Sequence, residues 1–239
     1  MLNENDEIKI YENMPTVAHR TGPIHTPQQP IPFIFKNADF AIINKPCGLA
    51  SQSGTGISEE QSLAGMLDIW AKNEGLDFKP ALVHRLDKET SGLIIAALSG
   101  PALREFGSML RARKIRKEYL ALVKGKMPQK SGKISTPLPG ETKISETIWN
   151  VVASQNNEQF DLIRVKLETG HKHQIRIHFS QIGHPLLGDT KYGDFALNRK
   201  LKTPRLFLHS TLLEFTWQGK KMKFEAELPP ELENYASHS

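Results

Sequence analysis

Cysteine is nearly absent: Cys47 stands alone among 239 residues. No disulfide can form within the chain, and a four-thiolate zinc site is excluded. No apolar run comes near the roughly 18–20 residues a membrane span needs. The opening Met1-Leu2-Asn3-Glu4-Asn5-Asp6-Glu7 lacks the basic start and apolar core of a secretory signal. Missing too are a GxGxxG turn, a phosphate-binding P-loop, a GxSxG elbow and an HExxH pair. No repeat or heptad run is present. These absences set aside disulfide scaffolds, dinucleotide and P-loop enzymes, and the commonest serine and zinc hydrolases. A reducing cytoplasm, away from membranes, is the expected location.

What is present is ordinary for a globular chain: 38% hydrophobic and 24% charged residues. Length and apolar content suffice for a real core. Lys and Arg number 31 against 26 Asp and Glu, a net charge of +5. That moderate basic excess fits a polyanionic partner such as nucleic acid, although many equally basic proteins bind none.

Residues 1–32 carry Pro15, Pro23, Pro27, Pro30 and Pro32. Proline at this density disfavours helix interiors and central strands, so the segment reads as an arm or linker. The ordered domain is expected over residues 33–239. Phe33-Ile34-Phe35 and Phe40-Ala41-Ile42-Ile43 read as two strands and a turn. Ser62 predicts the N-cap of a helix from Leu63 to about Asn73, with Gly75 beyond its end. Leu63, Met66, Leu67 and Trp70 mark its core face. Leu93-Ile94-Ile95-Ala96-Ala97 reads as a buried strand. Ser99 and Pro101 predict a second helix whose inner face carries Leu103, Phe106 and Leu110. Arg104, Arg111, Arg113, Lys114, Arg116 and Lys117 crowd its outer side and its end. They either complement the helix dipole or track phosphates.

Residues 119–123 read as a strand, and residues 125–143, rich in Pro, Gly, Ser and Lys, as a long exposed loop. Residues 144–152 and 160–167 read as a strand pair. Ile175, His178, Phe179 and Ile182 fall at i, i+3, i+4 and i+7, which predicts a short helix stopped by Gly183 and Pro185. Closing strands are expected at residues 206–208, 212–217 and 222–228, with a frayed end. Strands dominate and helices intersperse irregularly. The expected fold class is therefore α+β around a mixed, largely antiparallel central sheet.

Chemistry concentrates in His84-Arg85-Leu86-Asp87-Lys88-Glu89-Thr90-Ser91-Gly92, a polar, turn-prone segment between two apolar strands. Local chemistry alone favours a plain role for Asp87, capping a turn through the Thr90 or Ser91 amides. His171, His173, His178 and His184 invite a metal site. His173 and His178 lie five apart, however, and do not share a helix face as an i, i+4 ligand pair does. Phosphate contacts or polar core positions suit these histidines better. Ser91 lacks the context of a hydrolase nucleophile.

Four blocks in order carry a resemblance. They are Asn44-Lys45-Pro46-Cys47-Gly48, the His84 to Gly92 run above, Lys117-Glu118-Tyr119-Leu120-Ala121-Leu122-Val123-Lys124-Gly125, and Thr169-Gly170-His171-Lys172-His173-Gln174-Ile175-Arg176-Ile177-His178. The last continues through Gly183-His184-Pro185 and Gly188-Asp189-Thr190-Lys191-Tyr192-Gly193. They resemble the NKPxG, HRLDxxTSG, KxYxAxVxG and TGRxHQIRxH…GHP…GDxxYG signatures of the RluA-type pseudouridine synthases. Residues 192–209 are most similar to the members that act on large-subunit ribosomal RNA.

The resemblance implies an uninterrupted central sheet with flanking helices and a reaction without cofactor or metal. It implies Asp87 as nucleophile. Tyr119 would pack on the target uracil and be the candidate for removing its ring proton. Arg176 would pair with Asp87, holding it ionised and aimed. Arg85, Lys45, Thr90, His173 and Gln174 would bind substrate. The base must leave its stack to be handled. The implied partner is structured RNA, ribosomal RNA first and transfer RNA as the alternative, and the implied state is a monomer. A noncatalytic RNA-binding protein on the same scaffold is the rival reading, opposed by the intact Asp87, Tyr119 and Arg176 set. Two positions depart from the pattern: His171 replaces an arginine, and Ala97 a frequent lysine. Residues 4–10 resemble the last strand of an RNA-binding domain that many relatives carry ahead of this region.

Overall fold

A computed structural model describes residues 30–155 and 159–236. The expected arm therefore lies outside the described residues, except at its end. There Ile31 already packs against the core, and Pro32 accepts a hydrogen bond from the Asn44 amide. The strands are β1 (Phe33–Lys36), β2 (Phe40–Lys45), β3 (Ala81–Leu82), β4 (Ser91–Ala97), β5 (Arg116–Lys124), β6 (Ser131–Pro137), β7 (Ile144–Gln155), β8 (Phe160–Leu167), β9 (Leu208–Trp217) and β10 (Lys220–Glu225). The helices are α1 (Leu63–Asn73), α2 (Gly100–Arg111), α3 (Gln174–Gln181), α4 (Phe195–Leu201) and α5 (Pro230–Ala236).

All ten strands join one sheet in the order β1-β2-β4-β9-β5-β8-β7-β6, with β3 beside β4 and β10 beside β9. Every pairing is antiparallel except β4 with β9. The expected α+β class with a mixed, largely antiparallel sheet is what the chain forms.

Strand β4 explains why the sheet is covered on both faces. All seven of its residues are buried. Leu93, Ile95 and Ala97 pack on one side with Phe40, Phe106 and Phe224. Ile94 and Ala96 pack on the other with Leu63, Leu67 and Phe179. Alternate side chains of a strand point to opposite faces, so a continuous apolar run belongs where both faces meet a layer. Helices α1 and α3 cover one side and α2 the other. Ser62 and Ser99 cap α1 and α2 through the amides of Gly65 and Ala102, each cap contributing about 1 kcal/mol.

Three local expectations are corrected. The inner face of α2 is Ala102, Phe106 and Met109, while Leu103 is 37% exposed. Residues 125–143 are not a loop throughout. They contain β6, an edge strand with a single neighbour, whose one buried side chain is Ile134. Its Lys133 and Pro137 are residues that blunt a sheet edge, and in sequence they imitate a loop. The segments 206–208 and 212–217 belong to one turn-and-strand unit, because β9 runs unbroken from Leu208. Helix α5, with Leu232 buried, follows the closing strands, and the last few residues, expected to fray, lie outside the described residues.

The parallel β4–β9 seam pairs Ser91 with His209 and Gly92 with Ser210. Gly92 has φ +109°, and a Cβ there would lie 2.2 Å from the Ser210 carbonyl oxygen. Gly92→Ala combines a disfavoured backbone with a backbone clash. It should lower unfolding stability by roughly 2–4 kcal/mol, read as a reduced urea midpoint. An unchanged midpoint would show that the seam can open to admit a methyl group.

Candidate active site

Asp87 sits on the connection between β3 and β4, and the main chain around it is tied down on both sides. His84 Nε2 accepts from the Ile95 amide at 3.3 Å. Burial pushes the His84 pKa down to about 3, so the ring is neutral and can accept. The Ser51 hydroxyl donates to the Leu86 carbonyl at 2.6 Å and accepts from the Leu86 amide at 3.0 Å. The Gly48 amide donates to the Lys88 carbonyl at 2.8 Å, and the Thr90 amide to the Asp87 carbonyl at 3.1 Å. Main-chain groups therefore close the turn. Among the described residues no backbone amide donates to the Asp87 carboxylate, so the turn-capping role has no partner here. The side chain, 21% exposed, faces a cleft instead.

Tyr119 lies on β5, where the pairing with β9 shifts register between Glu118 and Tyr119. Such a bulge re-aims a side chain. Its ring lines the cleft and is only 5% exposed. Burial, reinforced by the Asp87 charge, pushes the phenol pKa far above its ordinary value. The resting group is a neutral phenol.

Arg176 comes from the first turn of α3, and its side chain is 2% exposed. Its principal partner is Asp189, not Asp87. Nε and Nη2 each reach an Asp189 oxygen at 2.8 Å. The remaining Nη1 faces Glu89 Oε2 at 3.4 Å and Asp87 Oδ2 at 3.6 Å. Asp189 lies in the Gly188 to Gly193 block, but nothing local in the sequence marks it as the partner of Arg176. The amides of Lys191 and Tyr192 also donate to Asp189, at 2.8 and 3.0 Å. Burial alone would raise the Asp189 pKa, but the Arg176 fork and those amides hold it below its ordinary value. Asn198 of α4 fixes the same loop, accepting from the Gly188 amide and donating to the Asp189 carbonyl.

His173, just before α3, has φ +57°. Its Nδ1 lies 3.0 Å from the Tyr192 hydroxyl, and its Nε2 lies 3.7 Å from Asp87 Oδ1. Arg85 is exposed and lines the cleft.

Of the expected substrate contacts, Lys45, Thr90 and Gln174 are buried, and Thr90 and Gln174 line the cleft. Lys45 is fully buried, and its ammonium donates to the carbonyls of Leu49, Pro46 and Lys88. Burial lowers its pKa to about 7. Gln174 is buried with its amide committed to Thr169, His171, Glu146 and Thr147. Thr90 is buried, and its hydroxyl has no hydrogen-bond partner among the described residues. His178 fills a polar core position against Thr147. His171 pairs with Glu141 at 3.0 Å on the cleft rim.

The cleft measures about 1270 Å³, larger than the roughly 300–1,000 Å³ of small-molecule pockets. Among the described residues, eleven Lys and Arg side chains line it against four carboxylates. Arg111, Arg113, Lys114, Arg116 and Lys117 are among them, which places most of the cationic cluster at the end of α2 along the same cleft as Asp87. Residues 125–143 do not line it. Such a wall attracts a polyanion. Among the described residues no group of three or more His, Cys, Asp or Glu could hold a metal ion, and no helix is long and apolar enough to cross a membrane.

Comparison with known proteins points to one family. A family profile described as RNA pseudouridylate synthase matches residues 39–181. Ribosomal large subunit pseudouridine synthase C of Buchnera aphidicola subsp. Schizaphis graminum is 32% identical, over 84% of this chain and 68% of that protein. Ribosomal large subunit pseudouridine synthase D of Zymomonas mobilis is 32% identical, over 88% of this chain and 74% of that protein. In fold, the chain is similar to the structure titled Human RNA Pseudouridylate Synthase Domain Containing 4. The TM-score is 0.71 at 22% identity, covering 85% of this chain and 90% of the human one. The profile spans more than half of the sequence, and both bacterial relatives align over more than two thirds of their length. The chain belongs to the RNA pseudouridylate synthase family and is an enzyme of its isomerase class.

Proposed function

We propose that the chain converts uridine to pseudouridine in large-subunit ribosomal RNA, with Asp87 as the carboxylate that acts on the target nucleoside. One observation carries the chemical part. Asp87 presents one oxygen to Arg176 and the other to His173 at the mouth of a basic cleft that Tyr119 lines. The names of the bacterial relatives support the choice of RNA. Residues 33–239 form the catalytic domain in this reading.

The reaction breaks the bond between uracil N1 and ribose C1′, turns the base and joins its C5 to C1′. The C5 proton leaves and N1 gains one, so the overall change is an isomerisation. A carboxylate serves this either by attacking C1′ or by taking the C2′ proton to give a glycal. Both routes need the flipped nucleotide within reach, and both need the detached base retained. The flat ring of Tyr119 is suited to stack on it. Its raised pKa makes the phenol a poor resting base. Proton removal from C5 by Tyr119 would require the phenol to lose its own proton first, whereas stacking requires no ionisation.

The substrate is tested by mapping pseudouridines at nucleotide resolution in a strain lacking the gene. One or more large-subunit ribosomal positions should revert to uridine and return with the plasmid-borne wild type. Loss confined to transfer RNA would overturn the ribosomal reading and leave the chemistry intact.

A further inference from the structure

The loop of residues 188–193 holds both groups that face Asp87. Its Asp189 carboxylate grips Arg176 through two 2.8 Å bonds. Its Tyr192 hydroxyl lies 3.0 Å from His173 Nδ1. The loop is itself fixed. The Tyr192 amide donates to Asp189, its carbonyl accepts from the Ser180 hydroxyl at 2.9 Å, and the Arg176 guanidinium lies over its ring. Tyr192 does not line the cleft.

We infer that Tyr192 is a positioning residue: its hydroxyl donates to His173 Nδ1 and so selects the imidazole tautomer that presents Nε2–H to Asp87 Oδ1. This rests on Asp87 being the reacting carboxylate. A neutral imidazole has one N–H and one lone pair. With the proton on Nδ1, the Nε2 lone pair would point at a carboxylate oxygen 3.7 Å away, which is repulsive. With the Tyr192 hydroxyl donating to Nδ1, the proton sits on Nε2 and points at that oxygen. Asp87 then has a donor on each side, Nε2–H toward Oδ1 and Arg176 Nη1–H toward Oδ2. Neither is yet at hydrogen-bond length, and catalytic hydrogen bonds commonly shorten when substrate docks. The backbone supports a dedicated role, since a histidine held at φ +57° is worth tracing to function.

The charged and titratable groups facing His173 are Asp87, which favours its cation, and Arg176, Lys191 and Lys172, which oppose it. Burial is the largest influence and also lowers its pKa, so the ring is neutral at neutral pH. A hydroxyl donating to Nδ1 stabilises that neutral form further. Removing the donor should raise the pKa of His173. The cation that then forms would pair with Asp87 and blunt it.

Tyr192→Phe keeps the ring over Arg176 and removes only the hydroxyl. Single-turnover tritium release from RNA labelled at uridine C5 should slow by about tenfold at saturating enzyme. RNA affinity should stay within about twofold, as expected of a group outside the cleft. The acid limb of the rate–pH profile should move to higher pH, which a merely structural role would not cause. His173→Gln can offer an amide N–H in place of Nε2–H and should retain more activity than His173→Ala. Melting temperatures check that each variant is folded, and Asp87→Asn is run in parallel. If Asp87→Asn is inert while Tyr192→Phe matches wild type in rate and pH profile, the tautomer inference is wrong and the Asp87 reading stands. If Tyr192→Phe instead weakens RNA binding at an unchanged rate, Tyr192 touches RNA and the inference is again wrong. If Asp87→Asn retains activity, the reading beneath the inference fails with it.

Discussion

Asp87→Asn is expected to eliminate tritium release from RNA labelled at uridine C5, lowering the single-turnover rate by about 10⁴-fold or more. The wild type should release tritium in the presence of a chelator and with no nucleotide added. The substitution is close to isosteric, and the amide can neither attack nor take a proton as the proposed reaction requires of the carboxylate. The structure makes this a clean test. Asp87 contributes its carbonyl to the turn, not its carboxylate, so the turn should survive. Arg176 keeps Asp189 as its close partner and Glu89 as its other neighbour, so no buried cation is stranded. The variant should therefore melt within a few degrees of wild type. RNA affinity should hold or rise, because one of four carboxylates leaves a basic cleft. Tritium release by the variant at the wild-type rate would remove Asp87 from the chemistry. Loss of wild-type release on chelation would restore a metal to the reaction.

How far the sequence could be read depended on whether a feature was local. The helix caps at Ser62 and Ser99, the stop at Gly183 and the apolar run of β4 are decided by a few adjacent residues, and the structure has them where expected. Strand β6 was hidden because an edge strand needs only one good partner. Its polar residues satisfy the edge and imitate a loop. Leu103 was misplaced on α2 because several apolar residues share a wide arc, and only packing decides which of them turns inward. The same limit acted at the site. Motif blocks identify which positions matter without saying which way a side chain points. Lys45, Thr90 and Gln174 are all buried, and only Thr90 and Gln174 line the cleft. Residues in turns follow no simple inward–outward period, and a polar side chain there can serve the fold as readily as the ligand. The Asp189–Arg176 pair could not be read either, since its members lie thirteen residues apart across a helix and a loop.

That pair carries the largest expected effect on stability. Arg176→Ala leaves Asp189, which has no exposed surface, with two backbone amides and no cation. Stranding one member of a buried ion pair costs about 3–5 kcal/mol. For a chain of this size the melting temperature at pH 7 should fall by roughly 6–20 °C. The pH dependence separates this cause from simple loss of packing. In the wild type the folded pKa of Asp189 lies below its unfolded value. Its contribution is therefore fully present above the unfolded carboxylate pKa of about 3.9 and is lost as pH falls through the folded value. In Arg176→Ala the main depressing partner is gone and burial acts in the opposite sense, raising the folded pKa. Protonation then relieves an unpaired buried charge, so the gap between variant and wild type should narrow as pH falls from 7 toward 4. Adding Asp189→Asn to Arg176→Ala should recover part of the loss at pH 7, because it removes the stranded charge while keeping an acceptor for the two amides. A gap that widens on acidification, or no recovery in the double variant, would mean that Arg176 stabilises the fold through its packing over Tyr192 and not through Asp189.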